Sequence, residues 1–319
     1  MVLFACVGGL NRCTSHDPSQ PMRRAPAMAR PHRPIDASAF GTDPAVQSQV
    51  MSMGSQEQVQ RLGSLRLIVH SSITLQRQGE TTVQNDSSTV VADANGNFTV
   101  VLETPASSLE VHQIDQDVFV RYDKGSLRRK TRRDVATDPL RDLATAALPQ
   151  ALMLFGSVAF VEPQPDRVDG RPASRYRLAL GKAGTPPLTL LPNAWQFPSA
   201  LPPRWHTQMH NVHLSGFVSV DASTGVLLRG EITASWQIQD ATSSPTTVSL
   251  HLDQQISHVG RINPQQRPSR TVAEFRRPIR NRDPLRFFRD QIPAAANSPL
   301  GAERQVAPAA PAEPHADAP

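Results

Sequence analysis

The chain has 319 residues, 39% of them hydrophobic, with 33 Lys plus Arg against 28 Asp plus Glu, a formal net charge of +5 and 29 prolines. That length allows one or two domains, and a core of that size stands without disulfide staples. Both cysteines, Cys6 and Cys13, fall ahead of any core-forming stretch, and no run of about 18 apolar residues is present to cross a membrane as a helix.

Lysine occurs only at Lys124, Lys130 and Lys182, so the positive charge is nearly all arginine. That suits anionic partners such as phospholipid headgroups. A recognition-helix pattern, an RNA-binding aromatic signature and zinc-finger spacing are all missing, so nucleic acid is not an expected partner.

The start, Met1-Val2-Leu3-Phe4-Ala5-Cys6, resembles the end of a bacterial lipoprotein signal: Leu at −3, Ala at −1, then Cys. The resemblance implies cleavage before Cys6 and a lipid on that residue. Phe4 is bulkier than such signals carry, and the basic and full apolar regions of a signal peptide are missing. Two readings stand: a signal whose true start lies upstream of Met1, or an apolar N-terminus with no such role.

Residues 14–50 hold Pro18, Pro21, Pro26, Pro31, Pro34 and Pro44 among Ser, Ala and Arg. Such a stretch buries too little apolar surface to offset chain entropy and is expected to be a disordered linker. Ser48–Leu62 has the makings of a short helix. The expected division is 1–60 linker, 61–260 folded domain and 261–319 a disordered Pro/Arg/Ala tail.

Strand periodicity begins at Leu65. Five strands are predicted: Leu65–Leu75, Thr82–Asp93, Asn97–Glu103, Leu109–Ile114 and Asp117–Tyr122. In the third, Phe98, Val100 and Leu102 share one face; in the fifth, Val118 and Val120 do. Alternation at two residues per repeat puts one row inward and leaves the other wet. Asn95-Gly96 tolerates the positive φ of a tight turn. Lys124–Arg133 follows, with Arg128, Arg129, Lys130, Arg132 and Arg133 as either a docking patch for an anionic surface or a solvated strand end.

Asp138-Pro139 opens a helix, Asp capping and Pro at the first position. Leu140, Leu143, Ala144, Ala147, Leu148, Ala151, Leu152 and Phe155 form an apolar stripe. Pro149 is expected to kink or split that helix. Strands resume at Ser174–Leu180, His210–Val220, Val226–Gln239 and Thr246–Ser257, with a Pro-rich loop at 185–204 between the first two.

Catalytic signatures are lacking: no G-x-S-x-G elbow, no H-E-x-x-H, no phosphate loop, no G-x-G-x-x-G. His206, His210 and His213 share a helical spacing, but the stretch alternates as a strand, which sets His213 opposite His210 and prevents convergence on a metal. No cofactor and no enzymatic activity are expected.

The order of these pieces resembles the LolA/LppX-like lipoproteins of bacterial envelopes. The resemblance is carried by Asp93-Ala94-Asn95-Gly96-Asn97-Phe98 with the strands after it, by Val168-Asp169-Gly170-Arg171 and the strand it opens, and by the hairpin Val218–Leu227. It implies a mainly β fold, a strongly curved antiparallel half-barrel with one or two helices on its concave face. It also implies a periplasm-facing, membrane-anchored protein of the cell envelope or outer membrane. Its ligands would be lipid or lipoprotein acyl chains in an apolar cavity between sheet and helix. The candidate lining is Leu67, Val69, Ile73, Phe98, Val100, Val118 and Val120 from the sheet, with Leu148, Leu152 and Phe155 from the helix. The alternative is a scaffolding or regulatory lipoprotein whose same residues fill a core and whose surface binds protein partners.

Overall fold

The computed structural model describes residues 34–131, 138–182, 185–188, 209–238 and 245–269. The chain divides into two units, Met1–Pro34 and Ile35–Pro319; apart from Pro34 the described residues belong to the second.

Eleven strands form one antiparallel sheet. They are β1 (Leu65–Arg77), β2 (Glu80–Ala92), β3 (Phe98–Thr104), β4 (Ser107–Ile114), β5 (Asp117–Tyr122), β6 (Arg128–Thr131), β7 (Val158–Val168), β8 (Arg171–Leu180), β9 (Met209–Asp221), β10 (Leu227–Ile238) and β11 (Thr246–Ser257). Their spatial order is β6-β5-β4-β3-β2-β1-β11-β10-β9-β8-β7. The first meander, β1 to β6, therefore runs outward from the β1–β11 pair at the centre, and the second, β7 to β11, runs inward to it. In β1, Leu65, Leu67, Val69, Ser71, Ile73 and Leu75 are buried while the residues between them are partly or fully exposed. The register carries that buried row across the sheet, for example Leu67 opposite Val90 on one side and Ile256 on the other.

The half-barrel expectation is corrected. The sheet stays open, with β6 and β7 at its two ends, and it is not strongly curved. Side-chain alternation specifies faces and pairing; it carries no information on curvature, which comes from twist and bulges. Register shifts occur in the β7–β8 and β9–β10 pairs, whereas β11, β1, β2, β3, β4, β5 and β6 pair in unbroken register.

One face of the sheet is covered by helices. They are a 3-10 helix (Ala37–Gly41), α1 (Pro44–Met51), α2 (Ser55–Leu62), α3 (Asp138–Thr145) and α4 (Ala147–Met153). Asp43 caps α1 by accepting from Ala45 N at 2.8 Å, with Pro44 at the first turn. Phe40, fully buried, inserts between Phe160 (4.7 Å) and Tyr176 (5.0 Å) over β7 and β8. α3 lies against β2 and β3, and α4 against β10 and β11. The break between α3 and α4 falls at Ala146, ahead of Pro149. Pro149 sits in the first turn of α4, where an N–H would have no helical acceptor, so the helix begins there without cost.

At the β7 end, Pro163 and Pro165 lie within the strand, Glu162 has φ of 54°, and the register with β8 slips between Val161 and Gln164. Proline and a bulge suit an edge strand and little else.

Candidate functional site

The ten residues expected to line a cavity all reach the helix-covered side. Leu67, Phe98, Val100, Val118, Leu148 and Leu152 have no water-accessible surface, and Val69, Ile73, Val120 and Phe155 are buried as well. They belong to one continuous buried cluster. α4 sits directly on the sheet. Gly230 of β10 leaves space for Leu148, whose methyl carbons lie 2.8 and 2.9 Å from where a Cβ would stand. Phe155 meets Trp236 edge-on at 5.8 Å between ring centres. Arg141 of α3, 5% exposed, places its guanidinium 4.7 Å over the Phe98 ring. At Gly230 the Leu148 side chain fills the space that a Cβ would take, so α4 and β10 are in direct contact there.

The same face holds a few polar groups. Asp86 is buried, and burial pushes its carboxyl above the usual range; Gln84 Nε2, donating to both its oxygens at 3.0 and 2.9 Å, offsets part of that.

The other face is polar. Two adjoining depressions of about 410 and 260 Å³ cross it, sharing Ser72 and His251. The first also takes in His70, Ser87 and Glu103; the second takes in Thr74, His213, Ser215, Thr233 and Ser249. Toward β8, Phe217 is held between Arg175 (3.7 Å to the ring centre) and Arg229 (5.2 Å). Toward β5, Glu110 accepts from His112 at 2.6 Å and from Arg121.

His210 and His213 are both exposed, and they share this face. His213 pairs with Ser235 and His210 with Gln237, because Asn211 (φ 51°) inserts a bulge that resets the alternation. The expected opposition of the two is thus corrected. His206 lies outside the described residues. Among the described residues no group of three or more His, Cys, Asp or Glu is placed to hold a metal ion.

The basic stretch forms β6 in part. Arg128 and Arg129 are exposed, and Arg129 donates to Asp117 Oδ1 from Nε (2.9 Å) and Nη2 (2.6 Å). The side chain of Lys130, together with Arg132, Arg133 and Cys6, lies outside the described residues. Sequence reasoning missed Arg141, Phe40 and Gln265. The last is bonded to Val91, Asp93 and Thr99 from far along the chain. For Phe40 a signal was present in Asp43-Pro44, the same cap-and-proline pair that marks α3.

No protein-family model matches the chain, and no curated protein matches it. Solved structures resemble it weakly. A DUF1329 family protein from Desulfovibrio piger is 13% identical with a TM-score of 0.21, over 68% of this chain and 93% of that one. A chain of the Pseudomonas aeruginosa MucA/MucB complex is 14% identical with a TM-score of 0.20, over 64% of this chain and 56% of that one. A LolA superfamily protein from Nitrosomonas europaea is 12% identical with a TM-score of 0.18, over 64% of this chain and 93% of that one. At these scores the likeness assigns no activity, ligand or partner.

Proposed function

We propose that the chain is a non-catalytic module of the bacterial cell envelope that binds protein partners through its surface, its sheet–helix layer being a solid core. The observation that supports this is the absence of water-accessible surface on six of the ten candidate lining residues, Leu67, Phe98, Val100, Val118, Leu148 and Leu152. An acyl chain gains about 0.8 kcal/mol per methylene moved out of water, but only where room exists to receive it. The acyl-binding reading, with the same ten residues as lining, requires α4 to lift from β10 and β11. In this proposal the periplasm-facing position depends on lipid attached at Cys6, and Arg128, Arg129, Lys130, Arg132 and Arg133 contact anionic headgroups near that anchor.

The test is uptake of a fluorescent fatty acid or phospholipid by the delipidated protein at micromolar concentration. The expected result is no saturable uptake. Stoichiometric uptake that is lost in Leu148→Arg would overturn the solid-core reading and restore acyl binding.

A further inference from the structure

β2 is longer than the strand beside it. It pairs with β1 along its whole length, from Glu80 to Ala92, but with β3 only from Ser87 to Ala92. Among the described residues, 80–86 therefore have a strand on one side only. The hairpin decides which backbone groups are left over. Arg77 and Glu80 close a two-residue turn at Gln78-Gly79, both at positive φ (50° and 85°), and the closing pair of such a turn exchanges hydrogen bonds. Bonding then alternates along the unbroken register. Glu80, Thr82, Gln84 and Asp86 turn their N–H and C=O toward β1, while Thr81, Val83 and Asn85 turn theirs away from it. The far end of β2 agrees, since Asp93 N, in step with the odd-numbered residues, donates to Asn97 O at 2.9 Å on the β3 side.

This margin lacks the guards that edges usually carry. It has no proline, no bulge and no lysine or arginine, whereas β7 has two prolines and a slip. Val83 stands at its middle, 52% exposed, one of two large apolar side chains left in water among the described residues. The segment ends at the depression of about 410 Å³, where Asp86 and Glu103 line the wall with Thr104 and Pro105. Neither carboxylate has a cation among the described residues. Asp86, buried, accepts from Gln84, and Glu103 accepts from the Ser87 hydroxyl at 3.0 Å. Glu80, at the other end, has none either, because Arg77 across from it is bonded elsewhere.

These features decide the occupant. Outward N–H and C=O at every second residue suit an extended strand. Uncompensated carboxylates at both ends suit cations on it. A second copy of this chain is disfavoured, because antiparallel self-pairing would bring the copy's Glu80 against the depression that holds Asp86 and Glu103, and like charges across strands repel. We propose that residues 80–85 are a docking edge for an extended segment of another protein, antiparallel to β2, with one basic side chain beside Asp86 and Glu103, an apolar one against Val83 and a second basic one opposite Glu80. This names the surface and the chemistry for the protein-binding module argued above, and rests on that reading. Antiparallel pairing puts the segment's N-terminal end at the depression, and its spacing copies that of Asn85, Val83 and Glu80.

The probe is Lys-Thr-Val-Thr-Thr-Lys, fluorescently labelled at its C-terminus and read by anisotropy against the full chain. Saturable binding is expected, and Glu-Thr-Val-Thr-Thr-Glu should bind about tenfold more weakly. N-methylation of the probe's valine removes the N–H aimed at β2 without touching the protein, and should abolish binding. Val83→Pro should do the same, since the N–H it removes faces away from β1 and the hairpin keeps its own ladder. The proposal is overturned by no saturable binding of the first probe, by equal binding of the two, or by binding that survives the methylation or Val83→Pro. A wild-type dimer in sedimentation that Val83→Pro dissolves would overturn it too, by assigning the edge to a second copy. Failure of the probe without fatty-acid uptake strikes the docking edge alone; fatty-acid uptake strikes the solid-core reading beneath it.

Discussion

Asp221 shows how much one side chain can carry. It is fully buried at the turn between β9 and β10, where burial alone would raise its carboxyl. Arg171 Nε at 2.5 Å, the Ser223 hydroxyl, and the N–H groups of Ser223 and Thr224 outweigh that and hold it at about 2, against an ordinary 3.8. Because the folded value is the lower one, the stabilisation is present in full above the unfolded value and fades as pH falls toward 2. The difference corresponds to about 2 kcal/mol. Asp221→Asn should lower unfolding free energy in urea by about that amount at pH 7, with the gap to wild type closing in acid. The sequence marks Asp221 plainly, since Asp opens and Thr-Gly closes the hairpin turn. It does not mark the partners of Gln265: Thr99 is 166 residues away, and no local pattern encodes a contact across that span. Nor does it mark the bulge at Asn211, which brings His210 and His213 to one face.

Among the elements, the strands were the most legible. Asp117–Tyr122 and Thr246–Ser257 have the bounds that alternation predicts. β7 was not read as a strand, because its prolines look like breakers until the sheet's edge gives them a place. The 3-10 helix and α1 fall in a stretch whose prolines and small residues suggest a linker, yet Phe40 and Met51 are among the most buried side chains. Composition averages over such a stretch; a single aromatic with two ring neighbours decides its fate. Phe40→Ala should cost about 3–5 kcal/mol, read as a lower midpoint in urea with the slope unchanged. A smaller loss would mean that the N-terminal helices are only loosely docked on β7 and β8.

At the scale of the whole molecule, the residues that sequence reasoning chose for a cavity lie on one face, and the sheet that carries them was wrongly expected to curl. Leu67, Val100 and Val118 alternate inward whether the sheet curls or stays open, so periodicity could not separate a chamber from a packed layer. The ends of the sheet follow different rules. Pro163, Pro165 and the slip at Glu162 deprive β7 of the regular row of N–H groups that another chain would need. A Pro163→Thr, Pro165→Thr variant should therefore form concentration-dependent oligomers in sedimentation velocity runs where the wild type does not. Unchanged sedimentation would place the block in the backbone slip alone.

Among the described residues, a sheet with one blunted margin has a single border left to offer a copy of itself. Edge-to-edge joining through β6 would then stop at a pair, because the second copy arrives with that border already spent. Edge-to-edge stacking of this sheet into fibres demands two willing borders on every unit, and the prolines and slip of β7 disfavour it at one of them.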